Sequence, residues 1–358
     1  MRSWDSLRRR YVGFWDGDVP DNRVVAHVQN PNPAIPPPAG WMLEDSDRKY
    51  LDPARLLQLK QWRKQAWSWH ADLFDYTIPS YGPNVFAGFC GAKVVFGRDT
   101  VWHEPVIASL DEADELRFDP GNPFWLKHLE AVDYFCQEAA PRMQLGMTDF
   151  GGPADWISAC MGTENFLVET IQDPARMREL ALRLAAECNQ AFDLVHARIS
   201  RHNDGTCNWM PVWAAAAMGT VQDDMAVNFS PELYAEVFLP ALRELAAHTP
   251  KTVLHWHDGC SQHIDALLRV EGIDLIQYGH DPNTGAFRDK LHAMRRIQGA
   301  GKKLFISCVD AEDVEFFIDN LAPEGLMMIV NTASDTASAA MESDIQKWTE
   351  RRLAARTA

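Results

Sequence analysis

A chain of 358 residues, 46% of them apolar, suits one large α/β domain or two ordinary ones and excludes a small stapled module. Asp and Glu number 50 against 34 Lys and Arg, a formal charge of −16. Such a surface repels phosphate backbones and anionic lipid, which argues against nucleic-acid binding and against membrane docking.

The elements follow in chain order. The N-terminal stretch MRSWDSLRRRYVGFWDGD holds no apolar run long enough for a signal peptide. Residues 29–41, QNPNPAIPPPAGW, form a proline-rich loop. Everything up to about residue 60 is expected to be an extension packed on the main body, residues 61–358. From there, short apolar runs alternate with longer amphipathic stretches. The expected strands are MQLGMTDF (143–150), CNWMPVWA (207–214), MGTVQDDMA (218–226), TVLHWH (252–257), IDLIQYG (273–279), KLFISCVD (303–310) and LMMIVNT (326–332). Helix starts stand between them. Asp173-Pro174 opens a helix to about residue 201, Ser230-Pro231 opens another, and Asp310 with Asp313 opens a third to Asn320. Gly299-Ala300-Gly301 ends the helix that starts near Ala286. Strand–helix alternation means parallel strands with crossover helices, and this number of units fits a (β/α)8 TIM barrel with an N-terminal extension covering one end. No GxGxxG or GxxxxGK nucleotide motif occurs. The seven cysteines are scattered without a CxxC pair, so a disulfide framework is not expected and a reducing, cytoplasmic compartment is. No uncharged run reaches membrane-spanning length.

In such a barrel, chemistry sits at the C-terminal ends of the strands. The residues there are Asp149, Asp224, His255, His257, Gln277, His280, Cys308, Asp310 and Asn331. Side chains alternate along a strand, so Val253, His255 and His257 share one face, and Leu254 and Trp256 turn the other toward the helices. Histidines at i and i+2 stand roughly 6.5–7 Å apart at Cα, within reach of one metal ion. Zinc is the expected ion and Cys308 the expected third ligand, with His280 and Asp224 as substitutes. The bland alternative is that both histidines only hydrogen-bond neighbouring carboxylates. Asp224 is expected to aim into the pocket, and Asp223 to belong to a solvated turn. Asp149, Gln277, Asn331 and Trp256 are candidate substrate contacts.

Several segments, in order, resemble the uroporphyrinogen decarboxylase superfamily, which includes cobalamin-linked methyltransferases. They are FDYTIPSYGPNVFAGFCG (74–91), FGGPADWISACMGTENF (150–166), QDDMAVNFSPELYAEVFLP (222–240), LHWHDG (254–259) and KLFISCVDAEDV (303–314). The resemblance implies a catalytic role for Asp75, where the decarboxylase holds its pyrrole nitrogens, and for Asp224. It places LHWHDG where the methyltransferases carry a zinc motif. Two departures stand out. The decarboxylase's Arg- and Gly-rich segment is replaced by NRVVAHVQNPNP, and VNTASDT (330–336) lacks the family's late histidine or cysteine, with Ser334 near that place.

Three functions compete. One is metal-assisted methyl transfer from a small methylated compound to a corrinoid, carried by a partner protein, or to another acceptor. The second is a metal-independent decarboxylase or lyase in which Asp75, Asp224 and the histidines, His280 among them, stabilise a protonated intermediate by positioned charge. The third is a non-catalytic binding barrel. A homodimer is compatible with each.

Overall fold

The computed structural model describes residues 2–37, 50–97, 101–139, 141 and 143–357, without the side chains of Cys308 and Thr357. Thirteen strands are found among these residues. In chain order they are β1 (Val25–Pro31), β2 (Trp67–Ala71), β3 (Tyr76–Thr77), β4 (Lys93–Phe96), β5 (Val101–Glu104), β6 (Gln144–Leu145) and β7 (Thr206–Cys207). Then follow β8 (Trp213–Ala214), β9 (Met218–Gln222), β10 (Lys251–His257), β11 (Leu275–Gly279), β12 (Lys303–Asp310) and β13 (Leu326–Asn331). The central sheet has seven strands in the order β2-β1-β13-β12-β11-β10-β9, parallel throughout except at the β1–β2 edge.

The fold is thus mixed α/β around a mostly parallel sheet, with helices between the strands. The sheet is not one closed ladder. Between its edges lie short pieces: β3 pairs in parallel with β6, and Gly146 bridges in parallel to Cys207. Asp72 N donates to Ala26 O (2.9 Å), continuing the β1–β2 pairing, and Asn208 Nδ2, just past β7, donates to Thr220 Oγ1 of β9 (2.9 Å). The segment 207–214, expected as one strand, is instead an antiparallel hairpin of β7 and β8 turning through Met210 and Pro211. Of 143–150, only Gln144–Leu145 is regular. The expected boundary at residue 60 is also corrected, because β1 lies inside the supposed extension and pairs with β13 and β2 within the main sheet.

Two helix starts follow the expected chemistry, whereas Asp310 and Asp313 make no side-chain cap ahead of the helix Val314–Asn320. Asp173 accepts from Arg176 N (3.1 Å) ahead of the helix Pro174–Ile199, and Ser230 accepts from Leu233 N (3.2 Å) ahead of Pro231–Val237.

Alternation along the strands sorts the core into two clusters. The larger lies between sheet and helices and takes Leu254, Trp256, Ile276, Tyr278, Leu304, Ile306, Met328 and Val330. The smaller lies on the opposite face and takes Val25, Met218, Val253, Leu275, Phe305 and Met327. Leu7, Tyr11, Phe14 and Trp15 of the helix Trp4–Asp16 join this second cluster. Its strand members come early in each strand. The later positions on the same face are Gln29, Gln222, His255, His257, Gln277, Ser307 and Asn331. One face of the sheet therefore runs from an apolar end, covered by the N-terminal helix, to a polar end at the strand C-termini.

No helix among the described residues is long and apolar enough to cross a membrane.

Candidate metal centre

The polar end is built around β10. His255 and His257 are adjacent on its inner face, with their Nε2 atoms 3.0 Å apart. Each ring is held from behind. His257 Nδ1 donates to Asp281 Oδ1 (2.7 Å), and Gly259 N donates to the other oxygen of Asp281 (3.1 Å). His255 Nδ1 bonds Gln277 Oε1, and Gln277 Nε2 in turn donates to Ser307 Oγ. The parallel register puts Gln277 directly beside His255. With both Nδ1 atoms protonated as donors, both Nε2 atoms carry lone pairs. Two lone pairs at this distance repel unless a cation lies between them. Burial holds the His255 imidazole below its ordinary pKa, which favours its neutral, lone-pair form.

Asp224 completes the group. Its Oδ1 is 3.8 Å from His257 Nε2, and one ligand atom each from Asp224, His255 and His257 lie within 4.8 Å of one another. Zinc–nitrogen bonds of 2.0–2.1 Å in a tetrahedron put two nitrogens about 3.3 Å apart, close to the spacing found here. Three neutral or anionic donors, each imidazole fixed by an outer hydrogen bond, fit a divalent ion with one position open for a substrate.

Asp224 is aimed by a pair of cross-braced carboxylates. Asp155, in the first turn of the helix Pro153–Met161, accepts from Asp224 N (3.1 Å) and Met225 N (2.8 Å). Asp223 accepts from Ala154 N (2.8 Å) at the start of that helix and from Tyr234 Oη (2.9 Å). Asp223 is 1% exposed, so the expected solvated turn is corrected to a buried brace. Burial, reinforced by the charge of Asp224, raises the Asp155 carboxyl to about 7. Burial and Asp155 raise Asp223 well above the carboxylate range. The brace needs glycine at 152, where a Cβ would lie 1.4 Å from Gln222 O. A cleft of about 400 Å³, lined by Asp155, Gln222, Asp224, Met225 and the β5 residues Val101, Trp102 and His103, opens beside Asp224.

The remaining expected residues divide. Asp149 is half-buried, and burial followed by the Asp224 charge pushes its carboxyl up to about 8 despite a hydrogen bond from Gly151 N. It is thus a proton-bearing neighbour of the cluster. Asn331 accepts from Gln29 Nε2 (2.9 Å) at the same end of the sheet. Gln277 acts through His255. His280 Nδ1 bonds Asp258 Oδ2 (2.8 Å) and its ring stacks on Phe287 (centroids 4.7 Å); it makes no direct hydrogen bond to His255 or His257 and reaches His257 through Asp258 and Asp281. Asp258 is saturated, taking Asp281 N and Thr284 Oγ1 as well. Asp75 stands at the start of β3, not at a strand end, and is ion-paired with Lys64, apart from the cluster. Trp256 as a substrate contact is corrected: it is 1% exposed, packed against Tyr234 and His263, and its Nε1 donates to Cys260 O (3.2 Å). Alternation sends it outward, opposite to the histidines. Cys308 has its backbone in β12, and its side chain lies outside the described residues.

Sequence reasoning missed Asp281, Ser307, Asp155 and Trp209. Asp281 directly follows His280 in YGHD at the end of β11, so the strand-end rule needed one more residue. Trp209 packs edge-on to His255 (centroids 5.1 Å) from the β7–β8 hairpin, which no periodicity announces.

A scan against protein-family models found no match, and a search of curated proteins found no similar sequence.

Proposed function

We propose that the protein is an enzyme in which His255, His257 and Asp224 hold one divalent metal, most simply zinc, and which moves a methyl group from a small methylated compound to a corrinoid on a partner protein. The observation that carries this reading is the pair of facing Nε2 atoms, each ring locked by a bond at its Nδ1. The sequence resemblance to the uroporphyrinogen decarboxylase superfamily supplies the reaction class. In this reading the fold is a (β/α)8 barrel closed through β3, β6 and β7.

When bound, the metal supplies Lewis acidity to the heteroatom that loses the methyl group. Imidazole and carboxylate donors suit an oxygen leaving group better than the thiolate donors of a soft site. The methyl group would pass to the reduced corrinoid of the partner protein, with the bonding electron pair left on the leaving oxygen. Asp149, whose carboxyl burial and the Asp224 charge push up to about 8, would be the proton donor to that oxygen. Asp155 and Asp223 fix the backbone that carries Asp224. Asn331 and Gln29 offer hydrogen bonds across the mouth.

The test is metal stoichiometry followed by methyl transfer. Protein incubated with zinc and desalted should hold close to one ion per chain, and His257→Ala should hold none. If the wild-type chain stays metal-free, this reading fails and the metal-independent decarboxylase takes its place. A metal-loaded chain that never methylates reduced cobalamin from any methoxylated donor would retain the site and reject the reaction.

A further inference from the structure

Beside the metal cluster, between the helix Pro53–Gln65, β2 and β3, lies a separate pocket of about 250 Å³. Its walls include Lys60, Arg63 and Lys64 from the helix, Trp67 and Trp69 from β2, and Tyr76 from β3. Three cations around one small pocket are out of keeping with a chain of net charge −16. Lys64 is neutralised by Asp75. Lys60 and Arg63 have no hydrogen bond or ion pair among the described residues. They are also close enough to repel each other: burial first, then the charge of Arg63, pushes the Lys60 ammonium down to about 7. Burial and Arg63 thus press Lys60 toward its neutral form, and an anion between the two side chains would restore its charge and pair both groups.

The pocket and the metal cluster share a floor. Tyr76 and Trp209 both pack on the inner apolar cluster, and Trp209 touches His255. In the β1–β2 register Trp69 lies opposite Gln29, which bonds Asn331 at the mouth. Asp149 feels the charges of both Lys60 and Asp224, one from each site. The two indoles, with centroids 6.5 Å apart and tilted by 41°, give flat apolar walls beside the cations. These walls suit a planar body, and the cations suit a carboxylate at its end.

We propose that this pocket is the recognition subsite for a small planar carboxylate, whose acid group lies between Lys60 and Arg63 and whose other end reaches the metal cluster. Placing the reacting end there rests on the metal-site reading; the anion subsite does not. Arg63 offers a fork of N–H donors and Lys60 a point charge, a pairing that holds a carboxylate and rejects a neutral amide of the same shape.

Benzoate and benzamide serve as probes, titrated calorimetrically into the full chain. Benzoate should bind about tenfold or more tighter than benzamide, since one charge-assisted hydrogen bond is worth that much. Lys60→Met and Arg63→Met should each remove most of the preference while leaving zinc stoichiometry at one per chain. Equal binding of the two probes by the wild type overturns the proposal without any variant. So does a preference that survives both substitutions, because the carboxylate is then held elsewhere, for instance by the metal. A wild type that prefers benzoate yet binds no zinc keeps the subsite and rejects the metal centre, so the two failures are told apart.

Discussion

At the apolar end of the sheet, Asp72 is fully buried and accepts from Arg10 Nε (2.6 Å), Arg10 Nη2 (3.1 Å), Arg23 Nη2 (2.6 Å) and Ala26 N (3.0 Å). At the polar end, Asp224 is 49% exposed at its side chain and makes one long approach to His257. Both regions gather charge at the edge of the same inner cluster. The first spends every lone pair on protein donors and ties the helix Trp4–Asp16 to β1. The second holds its histidines rigidly from behind and leaves the facing atoms without partners. A saturated charged cluster stabilises a structure, whereas an unsaturated one held in place binds something.

The strongest challenge to that contrast is Asp72→Ala. It strands two buried guanidinium groups and should cost about 3–5 kcal/mol in denaturant unfolding. Protein that still folds should bind zinc as before. A loss under about 1 kcal/mol would place both clusters in one category.

Next in size is His257→Ala. In zinc at a thousand times its dissociation constant, the wild type should gain about 4 kcal/mol over its metal-free form. The variant should gain nothing, while its metal-free stability stays within about 1 kcal/mol of the wild type's, the usual range for a partly exposed side chain. Similar losses with and without zinc would make the histidine structural.

Asp281→Asn sharpens the comparison. The side chain touches no other member of the metal group, yet it sets the tautomer of His257. Zinc affinity should fall about 10–100-fold with stoichiometry unchanged. Unaltered affinity would show that the outer hydrogen bond is idle.

The smallest effect is a pH profile of the metal-free chain. His255, His27 and His128 have pKa values lowered chiefly by burial, the last two to about 4 and about 3. Their contribution is present above the unfolded value of 6.5 and is lost as pH falls toward the folded values. Asp149 and Asp155 have raised values, about 8 and about 7. Their contribution is present at low pH and is lost as pH rises through the folded values. Lys60, lowered to about 7, works the other way above pH 7, so the carboxyl is read by difference: the melting temperature of the wild type relative to Asp149→Asn should fall as pH rises from about 4 to about 8. A difference that stays constant over that range would contradict the raised carboxyl.

Much of the polar end was legible because it depends on short-range rules. The period of two in TVLHWH put His255 and His257 on one face, and capping chemistry at Ser230-Pro231 placed a helix start after Asp224, although the expected strand 218–226 ends at Gln222 and Asp224 opens a turn beyond β9. The parallel sheet followed from strand–helix alternation. What escaped depends on distant pairing. Asp223 looks like a turn residue until the Gly-Gly-Pro helix, some seventy positions earlier, brings Ala154 N to it. Residues 25–31 precede a proline-rich stretch and read as part of an extension, but Val25 pairs with Met327 from the far end of the chain. Trp256 was misplaced for a different reason: its ring suggested a ligand contact, and strand alternation had already sent it outward.

The short strands β3, β6 and β7 have a consequence for motion. Each has only two residues, against five to eight in β9 to β13, so few ladder bonds cross this side of the molecule. Native-state hydrogen exchange should be fastest along this seam and slowest in the continuous ladder from β9 to β13. The seam borders the cation-lined pocket through Tyr76 and Thr77. Local opening there gives a small molecule a lateral way in, while the ladder carrying His255 and His257 stays closed and the positions of their rings are kept.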